Sequence, residues 1–304
     1  FEVLQSVWCA MPSILLLLAL LFTEYEIRQV YCGSWKHSED PKFEGWRGTC
    51  STGRYQSPIS IIYKNLWYSK VPPLAFINYN NITTTICNNG HSVLFKVDQS
   101  CEAAIVAGGL KNPYILDEVG FHWGSEHTLK DKRYPLEMHL IHYNSLYDSK
   151  ETALCRSDGL AIIAVLFCAS LEDNVYFNPI ISALENEYIY GSFGNMSTVP
   201  GPIDLQQLLP FESQRFFRYQ GSLTTPPCSE IVTWTVMEHV SYLSKRQLQR
   251  FCKVRTKTGG KTNFRWPKPL NNRKVYLLTG GQLQNSVHGA VIVFISIQII
   301  LFSF

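Results

Sequence analysis

The stretch "YPLEMHLIHYN" (residues 134–144) decides the fold, because apolar and polar side chains alternate along it. In a β-strand, side chains at positions i and i+2 lie on the same face. The pattern therefore places Glu137, His139 and Ile141 on one face and turns the alternate residues towards the opposite face. It predicts a long strand that carries a histidine with a carboxylate beside it.

A second stretch, "DEVGFHWGSEHT" (117–128), precedes it and predicts a neighbouring strand in which Gly120 and His122 share a face. Two adjacent strands can direct His122 and His139 at one point, and Glu137 can accept the second ring N–H of His139. A carboxylate in that position fixes the tautomer and raises the basicity of a metal ligand. Two histidines on strands also occur in ordinary cores, so a pair of satisfied core histidines is the alternative to a zinc site.

Short β-like runs dominate residues 33–279, separated by Asn, Gly and Pro, and no linker divides them. The run at 160–167 is apolar on both faces, which predicts a strand in the middle of a sheet covered on both sides. The fold class is therefore mainly β (α+β): a single domain built on a large central twisted β-sheet with short peripheral helices. The predicted strands are 57–62, 92–97, 136–143, 160–167 and 231–236, and the predicted helices are 178–188 and 244–254.

Composition excludes several classes of protein. Apolar residues make up 46% and charged residues 17%, which is ordinary for a folded domain and unlike a disordered chain. The net charge of +3 is evenly spread and forms no basic stripe, so nucleic acid is not an expected partner.

Both ends of the chain suggest targeting segments. An apolar block at 11–22 has the length of a signal peptide, which predicts a leader over residues 1–30 with Met11 as its start. At the other end, small residues, a polar spacer and an apolar tail follow one another over 280–304. This order predicts a glycolipid (GPI) anchor signal, and a short C-terminal membrane helix is the alternative.

Cysteine usage and sequons agree with secretion. The chain has nine cysteines without a C-x-x-C pair, and sequons begin at Asn81 and Asn195. Together with the terminal segments, they predict a glycosylated extracellular domain that reaches the cell surface by the secretory pathway and is held at the membrane by its anchor.

Further motifs extend the pattern along the chain. Together with the two histidine stretches, these motifs resemble those of the α-class carbonic anhydrases. They follow one another in the same order as in that family, and the resemblance covers nearly the whole domain at 33–279. The resemblance favours the secreted or membrane-tethered type and includes features of the acatalytic carbonic-anhydrase-related branch. The motifs are "GRYQSPISI" (53–61), "NNGHSV" (88–93), "DGLAIIAV" (158–165), "YQGSLTTPPCSEIVTWTV" (219–236) and "NFRWPKPLNNR" (263–273).

The resemblance implies reversible hydration of carbon dioxide to bicarbonate at a bound Zn²⁺. The family's zinc ligands fall on position 120, His122 and His139, with Glu137 and Glu118 as their supporting carboxylates. A zinc ion lowers the pKa of its bound water to about 7 and so provides hydroxide at neutral pH.

The same resemblance assigns the remaining roles. Thr224 orients the hydroxide and Glu126 accepts the threonine's proton, while Thr225 lies beside them at the substrate and inhibitor site. His91 matches the proton shuttle, a role suited to an imidazole with a pKa near 6.5. An apolar wall for carbon dioxide falls on Ile141, Ile162, Leu223, Val232 and Trp234. Cys50 and Cys228 match the disulfide of secreted members.

The sequence departs from the family pattern at two points that lie close together. Gly120 replaces a histidine and cannot bind a metal, so the site begins with two protein ligands where catalytic zinc ordinarily has three. About six residues are also missing between Gly124 and Ser125. A second water, Glu118 or His127 could substitute for the lost ligand, although Glu118 is expected to lie too far back.

Two functions therefore remain open. The first is an enzyme that is weakened or inactivated by the missing ligand. The second is an acatalytic binding module without zinc, which would present a surface to a protein partner outside the cell. An error in the sequence near residues 117–128, hiding a complete site, would also explain both departures.

Overall fold

The computed structural model describes residues 35–37, 40, 45–186, 189, 193–257, 259 and 261–281. The predicted leader at 1–30, with Met11, and the anchor segment from residue 282 onwards lie outside the described residues. Within the described part of the chain, no helix is long and apolar enough to cross a membrane.

The described residues form fifteen strands, most of them in one large mixed sheet, which confirms the predicted fold class. The strands are β1 (Ser60–Ile61), β2 (Leu66–Val71), β3 (Leu74–Ile77), β4 (Thr84–Asn88), β5 (Val93–Val97), β6 (Ala104–Ala107), β7 (Tyr114–Trp123), β8 (Thr128–Leu129), β9 (Leu136–Asn144), β10 (Leu160–Ser170), β11 (Met196–Thr198), β12 (Arg215–Gly221), β13 (Val232–Met237), β14 (Ser241–Ser244) and β15 (Val275–Gly280).

Ten strands follow one another across the large sheet in the order β11-β4-β5-β7-β9-β10-β13-β12-β15-β2. β6 pairs with β7 and β3 with β6, while β14 pairs with β10. β1 and β8 form a separate two-stranded parallel sheet. The predicted strand at 57–62 is therefore mostly wrong, because only Ser60 and Ile61 pair.

Short helices lie outside the sheet. They are α1 (Thr49–Thr52), α2 (Lys150–Ala153), α3 (Asn178–Leu184) and α4 (Lys245–Cys252), with 3₁₀ turns at Tyr63–Asn65, Gln99–Cys101, Val175–Phe177 and Leu205–Leu208. The start of α4 is explained locally, because Ser244 and Gln247 form a reciprocal capping box that satisfies two backbone N–H groups. Both predicted helices are present, though shorter than the patterns that predicted them.

β10 is the central strand, and its residues 160–167 are all buried. It lies between β9, which runs antiparallel to it, and β13, which runs parallel. Alternate side chains enter different hydrophobic clusters: Ile163 and Val165 enter the first, and Ile162 and Ala164 the second. This confirms the prediction of a strand covered on both faces.

The antiparallel pairing of β7 with β9 positions the candidate site. In this register Gly120 lies opposite His139, and His122 lies opposite Glu137. A register irregularity between Leu116 and Glu118 precedes these pairs. Cross-strand neighbours share a face of the sheet, so the two histidines point the same way.

Candidate metal centre

The rings of His122 and His139 lie side by side, with their centroids 4.6 Å apart. His122 Nδ1–H donates to the carbonyl oxygen of Asn263 at 2.8 Å, and His139 Nε2–H donates to Glu137 Oε1 at 2.7 Å. Each ring therefore has one nitrogen tied to the protein. His122 Nε2 and His139 Nδ1 remain to bind a ligand, as in metal sites with oriented histidines.

Electrostatics suit a metal that binds neutral imidazoles. Burial lowers the pKa of His122, which keeps the ring neutral. Burial alone would raise the pKa of Glu137, but His127 and His139 outweigh that effect and hold it below its usual range. Glu137 therefore remains an ionised acceptor between two imidazoles.

Position 120 is open but carries no donor atom. The backbone of Gly120 is extended, and a Cβ built there would meet one neighbouring atom within 4 Å, Leu94 Cδ2 at 3.3 Å. That atom is the end of a flexible side chain. The missing ligand is therefore a matter of side-chain chemistry, and the backbone remains compatible with a larger residue.

Neither substitute ligand suggested by the sequence is available. Both carboxylate oxygens of Glu118 are engaged, Oε2 with Lys96 Nζ at 2.7 Å and Oε1 with Lys150 Nζ at 2.9 Å. His127 is likewise engaged through both nitrogens. Its Nδ1 lies 2.7 Å from Glu137 Oε1, and its Nε2 lies 2.7 Å from the Tyr219 hydroxyl.

Glu126 follows the short hairpin directly and lies beside the two histidines. Gly124 and Ser125 close the turn through backbone hydrogen bonds of 2.7 Å to the carbonyls of residues 135 and 134. Gly124 has a φ of +82°, and a side chain there would collide with the Phe264 ring, so this turn requires glycine. Glu126 Oε1 lies 3.4 Å from His122 Nδ1, and Oε2 lies 3.9 Å from His139 Nε2. These are the two nitrogens that already bond Asn263 and Glu137.

The Glu126 carboxylate is fully buried but only half satisfied. Its Oε1 accepts a hydrogen bond from the backbone N–H of Arg265 at 2.8 Å. Its Oε2 has no hydrogen-bond partner among the described residues, so the Thr224 hydroxyl does not donate to it. The hydrogen bond from Thr224 to Glu126 that the resemblance implies is therefore not found among the described residues.

One donor atom from each of His122, Glu126 and His139 lies within 4.8 Å of the other two. Glu126 approaches the histidine nitrogens that already bond Asn263 and Glu137. The part of this set that fits a zinc ion is therefore the pair of histidines, each with its second nitrogen left over. A second group with the same spacing, His127, Glu137 and His139, differs because hydrogen bonds already join its members.

The predicted apolar wall is contiguous with the histidines. Ile162 pairs in register with Ile141 on one side and with Trp234 on the other. The Trp234 ring lies 4.9 Å from the His139 ring. Leu223 and Val232 belong to the same hydrophobic cluster, so the structure brings all five wall residues together.

The disulfide implied by the resemblance is present between Cys50 and Cys228. Cys228 N–H also donates to the Thr225 carbonyl at 2.9 Å, which closes the turn that carries Thr224. Thr224 is buried and Thr225 is half-buried. The bridge therefore fixes the loop beside the candidate metal site.

The His91 ring stacks on Trp35, with ring centroids 3.7 Å apart and planes 7° from parallel. Burial, aided by the nearby charge of Lys257, lowers its pKa to about 4. The shuttle assignment assumed an imidazole near pKa 6.5. At neutral pH this ring is therefore uncharged, and a stable imidazolium does not form on it.

Sequence reasoning did not assign a role to Asn263, although the residue opens the segment "NFRWPKPLNNR". It is buried, and its carbonyl orients His122. Its side chain accepts a hydrogen bond from Trp123 N–H at 2.7 Å and donates to the Phe121 carbonyl at 3.0 Å. The only sequence signal for this role is the segment itself, since backbone acceptors leave no mark in residue type.

Comparison with known proteins defines the class to which this fold and site belong. The model of the eukaryotic-type carbonic anhydrase family matches residues 39–279, and the chain belongs to that family. The family acts on carbon dioxide and bicarbonate and is generally zinc-dependent.

Individual relatives span most of the chain. Over 284 residues it is 34% identical to putative carbonic anhydrase 5 of Caenorhabditis elegans, covering 87% of this chain and 89% of that protein. Over 300 residues it is 33% identical to carbonic anhydrase 15 of Mus musculus, covering 89% and 91%. Over 286 residues it is 32% identical to carbonic anhydrase 6 of Homo sapiens, covering 87% and 89%.

Proposed function

We propose that the domain catalyses the reversible hydration of carbon dioxide to bicarbonate at a zinc ion held by His122 and His139, at a reduced rate. The observation that carries this proposal is the preserved orientation of the two imidazoles. Asn263 and Glu137 each hold one ring nitrogen and leave the other to a metal. Oriented imidazoles with one nitrogen left over are the arrangement that metal-binding histidines use.

When bound, zinc supplies a hydroxide at neutral pH by lowering the pKa of its water. The chain's own residues bind and orient the substrate around that position. The wall that contains Ile141, Ile162 and Trp234 offers an apolar surface beside His139, suited to an uncharged molecule. Thr224 and Thr225 provide hydroxyl groups on the loop that the disulfide holds.

Three features support a low rate. Position 120 lacks its donor, so metal binding is weakened. Thr224 makes no hydrogen bond to Glu126 Oε2, so a hydroxide would lack its usual orienting chain. His91, with a pKa of about 4, is a poor carrier of protons at neutral pH.

The second candidate function is an acatalytic binding module that carries no zinc and presents its surface to a protein partner. Gly120 and the shortened hairpin at Gly124 and Ser125 favour it, since both changes fall beside the metal site. The two functions share the fold and differ in metal content.

We also propose that the domain acts outside the cell, glycosylated at Asn81 and Asn195 and held at the membrane by a glycolipid anchor. The Cys50–Cys228 disulfide supports an oxidising compartment. Both asparagines are exposed, as glycosylation requires. The leader at 1–30, the domain at 33–279 and the anchor segment at 280–304 remain the proposed organisation.

The test is stopped-flow hydration of carbon dioxide by the full-length chain, with and without added zinc, together with the zinc content of the purified protein. Slow hydration that requires zinc and is blocked by a sulfonamide supports the enzyme. Absence of both zinc and sulfonamide-sensitive hydration, in a protein that is folded by circular dichroism, overturns it and favours the binding module.

A further inference from the structure

Arg218 lies in the middle of β12 and is a buried cation without an acidic partner. The residue is 8% exposed. Burial lowers the pKa of its guanidinium to about 10, so the group still carries its charge at neutral pH. Among the described residues, the Tyr114 phenol is the one ionisable group whose charge acts on it, and no carboxylate pairs with it. Buried charges in proteins are normally paired, so Arg218 needs an account.

The hydrogen bonds of Arg218 use only part of its guanidinium. Nε–H donates to the Thr235 hydroxyl at 3.1 Å, and Nη2–H donates to the Gly108 carbonyl at 3.1 Å. The third nitrogen, Nη1, has no hydrogen-bond partner among the described residues and is open to solvent. Nη2 also carries a second N–H. The side chain therefore presents a positive charge and unused N–H donors at one small opening.

Arg273 shows how the same chain satisfies an equally buried arginine. It is also 8% exposed, and the carboxylate of Glu230 acts on its charge. All three of its nitrogens donate to carbonyl oxygens at 2.9–3.2 Å, those of Leu270, Gln220 and Pro269. Arg218 has neither a full set of acceptors nor an acidic neighbour. What it lacks is a negatively charged acceptor.

The register of β12 places the Arg218 guanidinium on the face of the sheet away from the metal centre. Arg218 pairs with Thr235 of β13, and Thr235 pairs with Ile163, which belongs to the first hydrophobic cluster. Trp234, which contacts His139, belongs to the second cluster. Since cross-strand pairs share a face, an anion at Arg218 would be separate from one bound at the zinc position.

The opening beside Arg218 is reached from the surface. Gly108, whose carbonyl accepts from Nη2, is followed by Gly109, which is exposed. Tyr276 lies directly opposite Arg218 on β15 and is half-buried. It adds a hydroxyl group to the same face of the sheet.

We propose that Arg218 binds a small oxyanion of the phosphate or sulfate class through Nη1 and Nη2. Two neighbouring N–H donors of a guanidinium match two oxygens of such an anion, and charge-assisted hydrogen bonds of this kind are stronger than neutral ones. The anion supplies the negative charge that the described residues leave out. The proposed zinc chemistry is not needed for this site, which lies on the other face of the sheet.

The experiment uses the full-length chain, freed of metal with a chelator so that zinc cannot bind the anion. Thermal melts follow the addition of inorganic phosphate at constant ionic strength, with chloride as the balancing anion. The variants are Arg218→Met and, as the matched control, Arg215→Met. Arg215 lies on the same strand and loses the same charge, but it already pairs with Glu238 at 2.5 Å. Melts without phosphate check that each variant folds.

We expect a saturable response in the wild type, with the melting midpoint raised by about 3–5 °C at a phosphate concentration ten times the Kd. Arg218→Met should bind phosphate at least tenfold more weakly, because it loses both the charge and the donors. Arg215→Met should keep the wild-type affinity within about twofold. In the wild type, amide NMR shifts on adding phosphate should centre on Gly108, Gly109 and Tyr276.

The inference is overturned if the wild type shows no saturable response to phosphate or to sulfate. It is also overturned if Arg218→Met responds as the wild type does, because the anion then binds elsewhere. Should Arg218→Met fail to fold, the amide shifts of the wild type decide. Shifts centred on His122 and His139, or scattered over the surface, would contradict a site at Arg218. None of these results depends on whether the protein hydrates carbon dioxide.

Discussion

Gly120 lies directly opposite His139 in the register of β7 and β9, and a Cβ at that position would meet one atom of the described residues within 4 Å, Leu94 Cδ2. The backbone is extended there, so an L-residue is accepted without strain. A histidine at 120 would extend from the same face as His122, opposite His139.

Gly120→His is therefore expected to tighten zinc binding and to raise the kcat/KM of carbon dioxide hydration by at least tenfold. The reason is the return of a third imidazole ligand. Zinc titration and stopped-flow hydration measure the two effects.

Gly120→Ala is the matched control, because it adds the Cβ without a donor atom. It should leave both quantities within about twofold of the wild type. Equal gains from alanine and histidine would show that backbone stiffening, and not ligation, is responsible.

Glu137→Gln should weaken zinc binding by about 10–100-fold, the usual cost of losing an outer partner of a ligand histidine. Glu137 Oε1 accepts from both His127 and His139 at 2.7 Å, and a neutral amide cannot serve both rings equally well. The unfolding free energy should also fall, by about 1–3 kcal/mol. Chelator competition and urea unfolding measure these losses, and unchanged zinc affinity would contradict the orienting role.

Reduction of the Cys50–Cys228 bridge, or its removal by paired alanine substitutions, should lower stability by about 2–5 kcal/mol. The bridge joins residues 178 positions apart, so it restricts a large loop in the unfolded chain. Thermal unfolding with and without a reductant tests this. The paired variant should no longer respond to reductant; if it does, other cysteines account for the effect.

The strands and the wall could be predicted because their signals are periodic and local. Residues 160–167 are apolar at every position, and the structure places them at the centre of the sheet between two hydrophobic clusters. The same reasoning predicted a strand that included residues 57–59, which is wrong. A local pattern does not reveal whether a neighbouring strand is present to pair with it.

The environment of the site could not be predicted, because it depends on contacts between residues distant in sequence. The resemblance assigned Thr224 to Glu126, yet Glu126 Oε2 has no hydrogen-bond partner among the described residues and Oε1 lies 3.4 Å from His122 Nδ1. Glu118 faces two lysines that no local pattern connects to it, Lys96 on β5 and Lys150 at the start of α2. Burial of His91 against Trp35 is likewise a tertiary property.

The ion cluster around Glu118 predicts a pH dependence of stability. Burial alone would raise the pKa values of Glu118 and Asp117, but Lys150 and Lys96 outweigh it and hold both below their usual range. A depressed carboxyl pKa contributes stability above the unfolded-state value, near 4, and that stability is lost as pH falls through the folded-state pKa.

The urea midpoint should therefore fall steeply below about pH 4, where unfolded carboxyl groups take up protons. Glu118→Gln should flatten this fall by removing one titrating group, which contributes at most about 1.4 kcal/mol per pH unit. If the urea midpoint of the variant falls equally steeply below pH 4, other carboxylates dominate the loss of stability in acid. Asp40→Asn serves as the comparison outside the cluster.

The His91 pKa of about 4 predicts a neutral ring at pH 7, and burial beside Trp35 is the main cause. Trp35→Ala should expose the ring and raise its pKa by at least one unit towards 6.5, measured by NMR titration of the imidazole protons. Lys257→Gln, which removes the smaller electrostatic cause, should raise it less. A larger rise in the lysine variant would reverse the order of causes. If Trp35→Ala also accelerates hydration in the Gly120→His background, burial of His91 is part of what slows the native protein.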